Sequence, residues 1–369
     1  MNSTRVTHIV LGLEVGGLER VVVNLARGLQ QCGCQNTVVC LEREGPFNAE
    51  LEAAGIPVVA LGKKNGLDTG AIRQLATLLR RRHVQIIHTH NPAPHAHGIA
   101  AALLAGVPVR VHTKHGRNYP HMRGRVLLNR ALSWFTDAIV AVSDDARDVA
   151  LHIEKAAPAK VRRIWNGVDT DSYKRNAQRP TSNTQHPTIG TVARLSPEKD
   201  QNTMLAAFKL VQEKLPQARL VFVGDGPSAT GLKQTAADLG IAANVDFLGM
   251  RSDVAELLHT FDLFTLSSIS EGISMTLLEA MACEIPGVAT DVGGNREILN
   301  PPECGLIVPA RDPRSLADAY LELLRDPSRR AAMGRAARQR VVGHFSLQAM
   351  VRHYQQLYEE LLRTKGVAA

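Results

Sequence analysis

Long apolar runs are missing from this sequence. No stretch reaches the roughly 18 residues that a membrane span requires, so a membrane-spanning fold is not expected. Aromatic residues are 4% of the chain and form no stripe on which bases could stack, which argues against a nucleic-acid partner. The five cysteines, Cys32, Cys34, Cys40, Cys283 and Cys304, are odd in number and include no CxxC pair. A reduced cytosolic protein with incidental thiols is the simple reading, with no zinc site. The first residues, MNSTRVTHIVLGLEVGG, place glycines and Glu14 where a secretory leader has a clean apolar core, so a cytoplasmic protein is expected. The dinucleotide fingerprint GxGxxG is absent as well, since GLEVGG matches it poorly.

What is present suits a two-domain soluble protein. A chain of 369 residues has length for two cores at roughly 100–200 residues per domain. Lysine and arginine exceed aspartate and glutamate by 43 − 35 = 8. That surplus fits phosphates or an acidic membrane face, and it fits a solvated basic surface equally well.

Short β-branched runs alternate with helical segments in both halves. The first half reads as strands at 6–12, 36–42, 56–62, 84–90, 107–115 and 137–143, with helices such as 18–33 and 71–83 between them. After the polar, proline-bearing segment 173–188 the pattern restarts, with strands at 188–195, 218–226, 244–249, 262–268, 285–292 and 304–310. Near-continuous apolar strands separated by helices predict parallel sheets covered on both faces. The expected organisation is an α/β chain of two Rossmann-like domains, 1–172 and 189–345, joined by a linker at 173–188 and followed by a helix at 346–369. In such sheets ligands sit beyond the carboxyl ends of the strands.

Residues at those ends are therefore the candidates. Gly16 and Gly17 follow the first strand and precede a helix, where paired glycines admit a phosphate to the backbone; a tight turn alone is the competing reading. His88 and His90 end one strand and His115 the next, with Lys114 beside it. The HxH spacing puts two rings on one face without an acidic or thiol partner. A polar site for hydroxyls or phosphate fits better than a metal. In VARLSPEKD, Arg194 and Lys199 stand after the first strand of the second half and suit a diphosphate, or else they are solvated charges. VGDGP brings Gly224 and Asp225 to another turn. In EGISMTLLE, Glu271 precedes a helix and Glu279 lies inside it, while Gly272, Ile273, Ser274 and Met275 offer the helix's first N–H groups. Carboxylates accept hydrogen bonds and repel phosphate, so the pair suits sugar hydroxyls, Glu271 near a reacting sugar and Glu279 on a ribose. Alternatively Glu271 caps the helix and Glu279 pairs with a base.

In chain order, GGLER, the strand-end His115, ARLSPEK, VGDGP, EGISMTLLEAMAC and the glycine pair of DVGGNRE resemble the large family of retaining glycosyltransferases with the GT-B fold, often numbered family 4. The similarity runs through nearly the whole chain, and Glu271 with Glu279 resembles that family's EX7E motif. The resemblance implies two Rossmann-like domains facing across a cleft, with the C-terminal helix crossing back to the N-terminal domain. It implies a UDP- or GDP-sugar held mainly by the C-terminal half. Arg194 and Lys199 would grip the diphosphate and stabilise the leaving group, Gly16 and Gly17 would approach the phosphates, Glu271 would orient the donor sugar, Glu279 the ribose, and His115 would lie near the sugar. Positive charge there stabilises the transition state, because the departing diphosphate gains negative charge. No metal and no cofactor is implied. Asp169-Thr170-Asp171 matches the DxD metal signature of the other architecture, GT-A, but NGVD is usual in family 4 at this point, and DTD is read as coincidence. Two positions depart from the family's ACGxPVV: this chain has ACEIPGV, with Glu284 for glycine and Gly287 for valine. In GGNRE, Glu297 takes the place of the glutamate that follows the family's glycine pair.

Residues 114–135 gather Lys114, Arg117, Arg123, Arg125 and Arg130 beside Tyr119, Met122, Leu127, Leu128, Trp134 and Phe135. The N-terminal domain of this fold faces the acceptor. A basic and apolar surface there suits a glycan or polyprenyl-diphosphate-linked acceptor at the anionic inner face of the membrane, with the enzyme held peripherally. The competing reading is an amphipathic helix with its apolar side in the core. Rival functions are a GT-B sugar-nucleotide 2-epimerase and a non-catalytic nucleotide-sugar-binding protein.

Overall fold

The computed structural model describes residues 3–116, 122–175 and 186–367. The apolar runs form two separate parallel sheets. The first holds β1 (Arg5–Gly12), β2 (Gln35–Arg43), β3 (Val58–Ala60), β4 (Ile86–His90), β5 (Val109–Lys114), β6 (Ala138–Ala141) and β7 (Val161–Arg163), in the order β3-β2-β1-β4-β5-β6-β7. The second holds β8 (Thr188–Val192), β9 (Arg219–Val223), β10 (Val245–Phe247), β11 (Leu263–Leu266), β12 (Gly287–Thr290) and β13 (Gly305–Val308), in the order β10-β9-β8-β11-β12-β13.

Strand alternation divides the first sheet's side chains between two cores. Ile9, Val39 and Ile87 join Leu75, Leu79 and Ile99 on one face, while Val10, Val38 and Cys40 meet Val22, Val23 and Leu51 on the other. In the second sheet Ile189, Leu220 and Phe222 pack with Leu205, Phe208 and Tyr320. In each sheet the strand order reverses beside its first strand, between β1 and β4 and between β8 and β11. Crevices for ligands form at such points.

The chain divides into two compact units, Met1–Gly167 with Leu347–Ala369, and Val168–Ser346. Val168 begins the second unit because its N–H donates to the Phe345 carbonyl at 2.9 Å and it bridges to Ser346. The last helix, Leu347–Thr364, packs in the first unit. Its Tyr354 hydroxyl meets Thr113 at 3.0 Å, its Tyr358 hydroxyl meets His88 at 2.7 Å, and Met350 Sδ accepts the Gly167 N–H at 3.2 Å. Among the described residues no helix is long and apolar enough to cross a membrane.

The two departures from the family pattern have local causes. Glu284 sits at φ 61, a left-handed conformation that glycine adopts without cost. Gly287 lies on β12 under Leu277 and Leu299, and a Cβ there would press on both.

Candidate active site

In the second unit, residues 193–200 leave β8 and residues 267–274 leave β11, at the reversal of strand order. Side chains tie these two loops together. Ser267 Oγ donates to the Lys199 and Asp200 carbonyls at 3.0 and 2.9 Å, and the Ile269 N–H donates to the Glu198 carbonyl at 2.9 Å. Lys199 Nζ donates to Glu271 Oε1 at 2.6 Å, and Ser268 Oγ donates to the same oxygen at 2.7 Å. Among the described residues Glu271 Oε2 has no partner, and two of the three Lys199 N–H groups remain unused. The Glu271 side chain is 7% exposed and that of Lys199 22%. Arg194 is exposed and forms no ion pair among the described residues, and its carbonyl is held by Gln201 Nε2 at 2.9 Å. Against the effect of burial, and alongside the Ser196 hydroxyl, the charges of Lys199 and Arg194 help lower the pKa of Glu198.

Glycines let neighbouring loops close on this pair. Gly224 has φ 130 and a Cβ there would overlap the Ala193 carbonyl. Asp225 is exposed, and its carbonyl accepts the Leu195 N–H at 3.0 Å. Gly293 has φ 53, and a Cβ would overlap the Glu271 carbonyl; the Gly294 N–H donates to the Gly272 carbonyl at 2.9 Å. The helix Met275–Ala282 starts from Ser274, whose hydroxyl accepts the Leu277 N–H at 3.4 Å. Ser274, not Glu271, is therefore the helix cap. Ile273, Ser274, Met275 and Glu279 are all buried.

In the first unit, the strand-end residues are histidines more than sequence reading foresaw. His8 on β1 registers with His88 on β4, and His88 and His90 rings lie 4.1 Å apart. His8 Nδ1 lies 3.3 Å from His90 Nε2, and His90 Nδ1 lies 3.0 Å from His115 Nε2. His88 is held between the Thr113 and Tyr358 hydroxyls, both at 2.7 Å. Ligand atoms of His8, His88 and His90 come within 4.8 Å of one another, yet all six of their ring nitrogens already have protein partners. The arrangement is that of a hydrogen-bond network. Burial lowers the pKa of His8 to about 4 and those of His95 and His115 to about 3; it holds His88, His90 and His112 well below their ordinary range. His8 and His112 escape notice because a histidine in the middle of an apolar run leaves the strand pattern intact, and His95 because it lies in the helix Pro92–Ala105. The signal available is a histidine inside each of the apolar strands β1, β4 and β5, with His8 opposite His88 and Thr89 opposite His112. Gly16 precedes the helix Gly17–Gln31 in extended conformation, φ −167, so it serves no left-handed turn.

The basic segment needs correcting. Lys114 is not a surface residue: it is 1% exposed and its Nζ donates to Glu154 at 2.7 Å. A lysine buried in a sheet needs such a counter-ion. Arg117 and Tyr119 lie outside the described residues. Arg123 and Arg125 are exposed on the helix Arg123–Trp134. That helix buries its polar residues Asn129 and Ser133 and exposes Leu127, Leu128 and Trp134 by 64, 46 and 70%. Asn129 Nδ2 donates to Glu154 at 2.7 Å, and Lys160 Nζ donates to the Ser133 and Trp134 carbonyls at 3.1 and 3.0 Å. The helix is held by these polar contacts and by Leu132, which packs against the core, while Leu127, Leu128 and Trp134 stand in water. Asp169, of the DTD sequence, uses its carboxylate on its own turn, accepting from the Asp171 and Ser172 N–H groups at 3.0 and 3.1 Å and from the Ser172 hydroxyl at 2.7 Å.

Known proteins resemble both units. Residues 15–172 match Glycosyltransferase Family 4, and residues 172–340 match Glycosyl transferases group 1. The N-acetyl-alpha-D-glucosaminyl L-malate synthase of Bacillus anthracis is 30% identical over 310 residues, 80% of each chain. The UDP-Gal:alpha-D-GlcNAc-diphosphoundecaprenol alpha-1,3-galactosyltransferase of Escherichia coli is 24% identical over 387 residues, 99% of each. Among solved structures, Anabaena HepE in complex with UDP superposes with a TM-score of 0.85 at 20% identity, covering 97% of this chain and 100% of that one. The two parallel α/β sheets are those of the GT-B fold, and the chain belongs to the family 4, group 1 glycosyltransferases.

Proposed function

We propose that this glycosyltransferase is a retaining, metal-independent hexosyltransferase. It takes its sugar from a UDP- or GDP-sugar and passes it to a glycan or polyprenyl-diphosphate-linked acceptor, in cell-surface polysaccharide or glycolipid synthesis. The observation that carries this reading is the way Glu271 is held. Lys199 and Ser268 occupy one carboxylate oxygen and leave the other to accept a sugar hydroxyl. The two spare Lys199 N–H groups and the exposed Arg194 guanidinium supply positive charge for the diphosphate. As the glycosidic bond breaks, charge grows on the leaving diphosphate, and cations already in place stabilise it without reorganising. Glu279 takes the ribose, Gly16, Gly17, Gly224 and Asp225 border the nucleotide, and His115 contacts the donor sugar.

The acceptor side is assigned to the helix Arg123–Trp134, whose exposed leucines and tryptophan stand among Arg123, Arg125 and Arg130. Apolar insertion and attraction to anionic lipid reinforce one another on such a surface. The Escherichia coli relative's diphosphoundecaprenol acceptor is consistent with it.

The test is thermal shift against a panel of UDP- and GDP-sugars, followed by transfer from the stabilising donor to a polyprenyl-diphosphate-linked glycan with and without chelator. A donor that binds only the folded state at 100 times its Kd adds about 2.7 kcal/mol. Transfer with retained anomeric configuration, unaffected by chelator, is expected. Inversion, or chelator-sensitive turnover, would overturn the assignment. Release of an epimerised free sugar would establish an epimerase instead.

A further inference from the structure

Four polar side chains form an unbranched line inside the first unit: Asn36, His8, His90 and His115. Its far end is fixed by groups that cannot reverse. The Asn36 N–H donates to Gln30 Oε1 at 3.0 Å, which identifies that atom as the oxygen. Asn36 Nδ2 lies 3.3 Å from the same Oε1 and 3.4 Å from the Cys34 carbonyl, both acceptors, so the Asn36 amide has one orientation. Its Oδ1 then faces His8 Nε2 at 3.3 Å.

We propose that this line sets the tautomer of His115, with Asn36, His8 and His90 as positioning residues that leave His115 Nδ1 an obligate hydrogen-bond acceptor. Each link follows from the last. Asn36 Oδ1 only accepts, so His8 Nε2 carries the proton. A neutral imidazole holds one N–H, so His8 Nδ1 is bare and accepts from His90 Nε2–H at 3.3 Å. His90 Nδ1 is then bare and accepts from His115 Nε2–H at 3.0 Å. His115 Nδ1 is left as a lone pair; it is buried, and among the described residues it has no hydrogen-bond partner. Neutrality is imposed by burial, which disfavours the imidazolium at all three positions. A second proton on His8 or His90 would set two donors face to face; at His115 burial alone disfavours it.

The functional consequence rests on the reading that His115 contacts the donor sugar. A bare Nδ1 accepts the O–H of a sugar hydroxyl and rejects an acceptor-only group such as a phosphate oxygen or a ring oxygen. The fixed tautomer thus selects for a hydroxyl at that point, with no reorganisation on binding.

The decisive measurement is the long-range proton–nitrogen spectrum of protein with 15N-labelled imidazoles at neutral pH, assigned by single histidine replacements. In the wild type His8, His90 and His115 should each show a protonated Nε2 and a bare Nδ1. His8→Leu removes the acceptor for His90, so His90 and His115 should become mixtures of both tautomers. His8→Asn returns an oxygen near the lost Nδ1 and should restore the single form. With the donor that the wild type uses, kcat should fall about 10-fold in His8→Leu and recover to within about 2-fold in His8→Asn, with donor KM changing less. A wild-type His115 protonated at Nδ1, or an unchanged His115 in folded His8→Leu, would overturn the proposal; so would a mixed tautomer with unchanged kcat. If His8→Leu does not fold, Asn36→Ala removes only the terminal acceptor and must produce the same mixing. The spectra need no turnover, so a failure of sugar transfer leaves the tautomer result standing and counts only against the proposed function.

Discussion

Acid should unfold the first unit well before the second, and the histidines set the size of the effect. His8, His88, His90, His95, His112 and His115 are held neutral in the folded unit by burial. In the unfolded chain each titrates near 6.5. Between about pH 6.5 and the folded values, about 4 for His8 and about 3 for His95 and His115, the unfolded chain binds more protons, so stability falls as pH falls. The contribution is fully present above about pH 7. From about pH 7.5 to about 5.5, each such histidine loses about 1.4 kcal/mol, so six lose about 8 kcal/mol. That is comparable with the whole stability of an ordinary domain, roughly 5–15 kcal/mol. The second unit has only His186, His259 and His344, none of them buried.

Both tryptophans, Trp134 and Trp165, belong to the first unit, so tryptophan fluorescence reports its urea unfolding alone. Hydrogen exchange read by mass spectrometry follows the second unit in the same samples. The fluorescence midpoint should collapse between about pH 7 and about pH 5.5 while the helices of the second unit stay protected. A fluorescence midpoint that does not move across that range would show that the cluster is charged when folded, and the reasoning would fail along with the neutral hydrogen-bonded line.

In the second unit, Lys199→Met strands a carboxylate that is 7% exposed, and should cost about 2–3 kcal/mol, between the surface and fully buried limits; Glu271→Gln should cost less, and urea titrations of the double variant should show coupling of about 1–2 kcal/mol, with simple additivity as the contrary result. Turnover should drop sharply in either single variant. Gly190→Ala drives a Cβ into the Phe261 ring, so its cost should be about 1–3 kcal/mol, measurable as a fall in Tm with kcat at 25 °C retained. Gly293→Ala collides with the Glu271 carbonyl from a left-handed position and should reduce kcat as well as Tm. Replacing Leu127 and Trp134 together by serine should abolish sedimentation with anionic vesicles at low salt without lowering Tm, whereas Lys114→Met should lower Tm and leave sedimentation unchanged, because Lys114 is buried against Glu154.

The alternation of strands and helices was legible because a parallel sheet buries both faces and its strands read as continuous apolar runs; every strand-end loop that mattered in the second unit follows from it. Three features were not legible, each because the deciding partner is distant in sequence. Lys114 reads as surface charge until Glu154, 40 residues on, is seen to neutralise it. The helix Arg123–Trp134 has leucines that look destined for a core, but only Leu132 packs there, and the contacts of Asn129 and Lys160 leave Leu127 and Leu128 in water. The histidine line joins β1, β2, β4 and the end of β5, and no local spacing announces it. Glu284 is the opposite case: the family's glycine there was known from the pattern, and φ 61 supplies the reason.

The paired glutamates of EGISMTLLE answer two separate structural demands. Glu279 is placed by its helix: once Ser274 caps the first turn, residue 279 falls one turn further on and is buried with its neighbours. Glu271 belongs to no helix. Its position is the joint product of Ser268, Lys199 and the backbone of Gly293, contributed by loops after three different strands. A change of register in any one of those loops moves Glu271 and leaves Glu279 in place. The loop-built glutamate therefore suits the reacting sugar, where orientation decides rate. The helix-built one suits a part of the donor that stays fixed throughout the transfer.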